Sequence, residues 1–151
     1  MTSAATSIIP EFIEKIELYG ISEHFRITKD EILNMSTGSS IIFKGIKTSA
    51  GNQTAALKSL QGITTFVLDE AEELVDEDTF DKIDQSVRAK NRQNRVILIL
   101  NPTTKEHWIY QRFFAAKAVN GGYNGWKGNV TYIHTTYKLS LIHISEPTRP
   151  Y

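Results

Sequence analysis

Apolar positions near the start of the chain recur every three or four residues, at Ile9, Phe12, Ile13, Ile16 and Tyr19. This spacing lines one side of an amphipathic helix from Ala4 to Tyr19, with Pro10 in its first turn and Gly20 as its stop. Between residues 25 and 46 the pattern becomes extended. "FRITKDEILNM" and "SSIIFKGI" flank the turn signal Ser36-Thr37-Gly38-Ser39, which predicts a hairpin. Thr54 to Leu60 fits a short helix closed by Gly62.

Ile63 to Leu68 is a near-continuous apolar and β-branched run, the pattern of a strand buried on both faces in a parallel sheet. Leu74, Phe80, Ile83 and Val87 follow at helical spacing, and the stripe dissolves into the basic "RAKNRQNR". "RVILILNP", residues 95 to 102, is a second strand of the same kind, stopped by Asn101-Pro102. Strand, helix and strand in that order predict a βαβ crossover in a parallel sheet covered by helices. Lys105 to Phe114 reads as a helix carrying Trp108, Ile109, Phe113 and Phe114. A glycine- and asparagine-rich loop, "NGGYNGWKGN", then leads to a last strand, "VTYIHTTY".

Composition narrows the setting. A chain of 151 residues with 40% hydrophobic positions is the size of one compact domain with a real core. Its 17 basic and 17 acidic residues cancel, so any binding must come from local patches rather than from bulk charge. The absence of cysteine excludes disulfides, thiolate metal sites and cysteine nucleophiles. No apolar run approaches the roughly 20 residues of a membrane helix, and no basic-then-apolar leader opens the chain, so an intracellular soluble protein is expected.

Candidate chemistry sits where the two apolar strands end. In open α/β sheets ligands bind at the carboxyl edge of the strands, and Asp69, Glu70 and Asn101 all fall there; if the strands are neighbours, the three converge. An aspartate in that place can hold a magnesium ion through water, a following glutamate can polarise an attacking water, and an amide can sense a terminal phosphate or orient the water. The competing reading is that Asp69 and Glu70 open a helix, where carboxylates meet the free N–H groups, with Glu72, Glu73, Asp76, Glu77 and Asp78 as a solvated face. The phosphate-cradling pattern G-x-x-x-x-G-K-[ST] occurs nowhere in the chain. Gly45-Ile46-Lys47-Thr48 is the nearest string, with an intervening isoleucine.

"SSIIFKGIKTSAGNQTAALKSLQGITTFVLDEAEEL", then "RVILILNPTTKEHWIYQRFF", then "YIHTTYK", resemble in order and spacing the ATPase domain of PBSX-type large terminase subunits, the DNA-packaging motors of tailed phages. The resemblance spans most of residues 7 to 138. It implies an α/β, RecA-like P-loop ATPase fold with a largely parallel sheet flanked by helices, here partial and lacking the Walker A strand, loop and helix. It also implies ATP and Mg2+ as cofactors of the intact parent, with Asp69 as the Walker B metal ligand, Glu70 as the catalytic glutamate and Asn101 at the coupling position. The Walker A loop would lie upstream of Met1 and the nuclease carboxylates downstream of Lys138. The implied partners are double-stranded DNA, a portal protein, a small terminase subunit and further copies in a ring, in the host cytoplasm and without a membrane.

Residues 1–138 are therefore expected to be a partial terminase ATPase domain that by itself hydrolyses little or no ATP. Residues 139–151, opening with "LSLIHISEPTR", resemble a translated sequencing adapter and are expected to be a non-native tail. A non-catalytic α/β binding module and a fragment of another helicase-like ATPase stay open as alternatives. Arg88, Lys90, Arg92 and Arg95 read either as a solvated loop or as contacts to DNA phosphates or a neighbour's nucleotide. Trp108, Phe113 and Phe114 are expected in the core, and His107 and His134 as structural histidines. Tyr123, Trp126 and Lys127 form a candidate DNA or partner contact.

Overall fold

The structure, a computed structural model, describes residues 8–44 and 62–136, which fall into two compact units divided between Gln53 and Thr54. In the first unit, helix α1 spans Ile8–Leu18 and buries Ile9 and Ile16. Gly20 takes a φ of 64°, which a glycine adopts without strain. Its N–H bonds the Glu17 carbonyl and the Ile21 N–H bonds the Ile16 carbonyl, so the helix ends as expected in a left-handed cap.

Three antiparallel strands follow: β1 (Phe25–Ile27), β2 (Glu31–Asn34) and β3 (Ser40–Ile42), in the order β1-β2-β3. The Ser36–Ser39 hairpin forms as expected, its turn tied by Asn34 Oδ1 accepting from the N–H groups of Ser36 and Thr37. "FRITKDEILNM", however, is two strands rather than one extended segment. Thr28 Oγ1 accepts from the Glu31 N–H at 3.1 Å and folds the chain back at Thr28–Asp30, a turn made without glycine, proline or asparagine. The expected helix at 54–60 lies outside the described residues.

The second unit holds the crossover. Strand β4 (Thr65–Leu68) pairs in parallel with β5 (Arg95–Leu98), with Leu68 opposite Leu98, and helix α2 (Glu77–Ser86) lies between them in sequence. The strands are not buried on both faces. Phe66, Leu68, Val96 and Leu98 are half-buried, whereas Val67 is 52% exposed and Ile97 42%. Every apolar cluster residue packs on one side of the pair: Ala71, Leu74, Phe80, Trp108 and Ile109, with Leu68, Val96, Leu98, Leu100, Phe113 and Phe114 against them. Nor is the β structure largely parallel. Of the three sheets among the described residues, only β4-β5 is parallel, and the fold is mixed α/β.

The segment expected as a helix over Lys105–Phe114 winds into a π-helix at Tyr110–Ala115. Trp108 and its neighbours are core residues as expected: Phe80 meets the Trp108 ring at 4.9 Å and Phe113 edge-on at 5.9 Å. Arg112 lies over the Phe80 and Phe113 rings and donates from one nitrogen to Glu77 (3.0 Å) and Asp81 (2.6 Å), fastening this segment to α2. The glycine-rich loop contains a strand of its own. Strand β6 (Gly125–Lys127) pairs antiparallel with β7 (Val130–Tyr132).

Candidate functional site at the edge of the parallel pair

Parallel pairing brings the carboxyl ends of β4 and β5 together, and with them Asp69, Glu70 and Asn101, all three exposed. The ladder does not simply stop there. The Ile99 N–H bonds the Leu68 carbonyl, and the Ile99 carbonyl accepts from Ala71 rather than from Glu70, the next donor of a regular parallel ladder. One residue more than the ladder needs is therefore looped out on the β4 side, a bulge in a parallel pair. Glu70 absorbs it with φ 52° and ψ 44°, a left-handed conformation uncommon for glutamate. Its N–H turns instead to Asp69 Oδ1 at 3.1 Å.

A short 3-10 turn, Ala71–Glu73, follows the bulge without any side-chain cap from Glu70. The role of helix cap belongs to Asp76, whose backbone is extended and whose carboxylate accepts from the N–H groups of Asp78 and Thr79 at 3.2 Å each. The Thr79 hydroxyl and these N–H groups hold the Asp76 carboxyl below the usual aspartate range. Asp76, though exposed, is thus the helix cap, and the α-helix after the bulge starts without help from Asp69 or Glu70.

Asn101 reaches the same edge but bonds neither Asp69 nor Glu70 among the described residues. Its Nδ2 donates to Glu72 Oε1 at 2.8 Å. The Glu72 carboxyl is held below the usual glutamate range, first by its own backbone N–H and then by the Asn101 amide. Its other oxygen, Oε2, is buried without a protein hydrogen-bond partner among the described residues, as is Nε2 of His107. Trp108 Nε1 donates to the Leu74 carbonyl, so the segment after the bulge is tied to the segment after β5 at two points. Glu72 was hidden in the sequence as one acid in a run, with no local signal to set it apart.

The remaining candidates lie elsewhere. Arg88, Lys90, Arg92 and Arg95 are exposed, make no ion pair among the described residues, and lead into the amino end of β5, opposite the acidic edge. His107 accepts the Ile109 N–H on Nδ1 at 3.3 Å, so it is only half satisfied, and His134 is exposed rather than structural. Trp126 is 79% exposed on the β6-β7 hairpin, where the Tyr123 hydroxyl donates to its carbonyl. Among the described residues no three His, Asp or Glu side chains gather to hold a metal, and no helix is long and apolar enough to cross a membrane.

One family model, described as phage terminase large subunit, matches residues 1–142. No curated protein matches the chain.

Proposed function

The chain belongs to the phage terminase large subunit family, whose part is DNA packaging, and from that premise we propose that it carries the ATP-hydrolysing edge of the packaging motor. In this reading β4, α2 and β5 are the Walker B and coupling portion of a RecA-like domain. The observation that supports it best is the parallel register, which sets the Asp69–Glu70 bulge and Asn101 on one carboxyl edge. Ligand sites of open α/β sheets lie at that edge.

Asp69 would hold Mg2+. Its Oδ1 is occupied by the Glu70 N–H, which leaves the rest of an exposed carboxylate, and a small hydrated cation needs only one or two carboxylates beside the phosphates of ATP. The ion, when bound, neutralises charge on the transferred phosphoryl group. Glu70, set outside the ladder by the bulge, polarises the attacking water, and Asn101 couples the state of the site to the chain beyond β5. The phosphate cradle belongs to a part of the parent outside these residues, so this chain alone turns over no ATP. In the parent, double-stranded DNA is the substrate of translocation and of a nuclease domain, with a portal protein, a small terminase subunit and a ring of further copies as partners in the host cytoplasm.

The test uses the intact large subunit carrying this segment. Glu70→Gln should lower kcat for ATP by roughly 100-fold or more while nucleotide binding persists. Wild-type turnover in that variant would overturn the assignment.

A further inference from the structure

The bond between Asn101 and Glu72 fixes direction as well as distance. An amide donates at one end and accepts at the other, whereas an ionised carboxylate only accepts, so Nδ2 of Asn101 must face Glu72 and Oδ1 must face away. The depressed titration of Glu72 keeps that carboxylate ionised near neutral pH. What Asn101 still offers is its whole acceptor and one amide hydrogen. A water molecule matches both, since it donates and accepts; a phosphate oxygen matches the hydrogen alone.

Glu72 has a complementary neighbour in His107. His107 Nδ1 accepts the Ile109 N–H, which places the ring's hydrogen on Nε2. That buried donor and the buried acceptor Oε2 of Glu72 both lack a protein partner among the described residues, and the two side chains are neighbours. Each supplies what the other lacks, and since they make no direct bond among the described residues a single bridging water would join them.

We propose that Glu72, backed by the Nε2–H of His107, is a positioning residue that orients the Asn101 amide so that its Oδ1 meets the attacking water rather than the terminal phosphate. This rests on the reading of Asn101 as a site residue and decides between the two tasks an amide can perform there. Glu72→Gln removes the constraint with almost no change of shape, because a second amide can pair with Asn101 in either orientation.

Two measurements test it. In the 15N-labelled 151-residue chain, the Asn101 side-chain amide should show one hydrogen shifted and protected, the signature should vanish in Glu72→Gln, and His107 should report the Nε2–H tautomer. In the intact large subunit, Glu72→Gln should lower kcat about 10-fold or more with KM for ATP changed less than about twofold, as for loss of an outer-shell partner. An unperturbed Asn101 amide, or a His107 hydrogen on Nδ1, overturns the proposal without any variant. Wild-type kcat in Glu72→Gln alongside a dead Glu70→Gln overturns it and leaves the site reading standing. Wild-type kcat in both overturns the two together.

Discussion

Glu70 occupies a backbone region, φ 52° and ψ 44°, that costs a residue with a Cβ about 1 kcal/mol relative to glycine. Ala118 is in the same position for a different reason. Its φ is 51°, its N–H bonds the Ala115 carbonyl, and the Val119 N–H bonds the Phe114 carbonyl, the same left-handed helix cap that Gly20 makes after α1. Glycine at either site should therefore raise stability: Ala118→Gly by about 1 kcal/mol over wild type, and Glu70→Gly by about 1 kcal/mol over Glu70→Ala, both read from urea unfolding of the 151-residue chain. The contrast also shows what a sequence exposes at this scale. Gly20 announces a left-handed residue because glycine is the residue that goes there at least cost. Glu70 and Ala118 announce nothing, since both are good helix formers held in that conformation by their neighbours. Asp69, Glu70 and Asn101 were readable as candidates because polar letters end apolar strands; Glu72 and His107 were not, because their roles come from burial of single atoms.

At the scale of elements, α2 depends on a cap that the run of acids concealed. Asp76 is one of seven acidic residues between 69 and 78, and only its extended backbone, φ −97° and ψ 109°, distinguishes it. Asp76→Ala should destabilise α2, while Asp76→Asn, which still accepts from the N–H groups, should retain most of the helix at neutral pH. The sign with pH follows from the depressed carboxyl. Its stabilising contribution is present above the ordinary aspartate range and is lost as pH falls through the lower folded-state value, so the protection of the Glu77–Ser86 amides relative to their intrinsic exchange rate at each pH should fall in acid in wild type and less so in Asp76→Asn. The β6-β7 hairpin escaped the sequence reading because its turn, at Gly128-Asn129, sat inside a longer glycine-rich run that looked uniformly loop-like. Its Trp126 side chain is exposed beside Lys127, and if this hairpin is the DNA contact expected of it, replacing Trp126 and Lys127 with alanine should raise the DNA concentration for half-maximal ATPase stimulation of the intact subunit by about 10-fold.

For the molecule as a whole, the crossover was legible and its surroundings were not. Apolar runs report a strand and the order of elements reports parallel pairing, but burial on a second face depends on what packs there, which no local pattern encodes. Val67, Ile97 and Ile99 lie on the exposed face of the pair, at 52%, 42% and 52%. Exposed apolar strands favour association, so Val67→Thr with Ile97→Thr should reduce self-association of the 151-residue chain in light scattering, while each change shifts stability by no more than about 0.5 kcal/mol. At the carboxyl end of the pair, the ladder brackets the bulge with two bonds to Ile99 and needs one residue fewer than the chain provides. A chain lacking Glu70 would let the following N–H fall into register and the sheet would run on unbroken. The site is thus spelled in length as well as in letters. If Glu70 has the role proposed for it, a one-residue gap between 69 and 71 among homologous sequences would mark a descendant that kept the scaffold and gave up the reaction, a loss that counting substitutions would overlook.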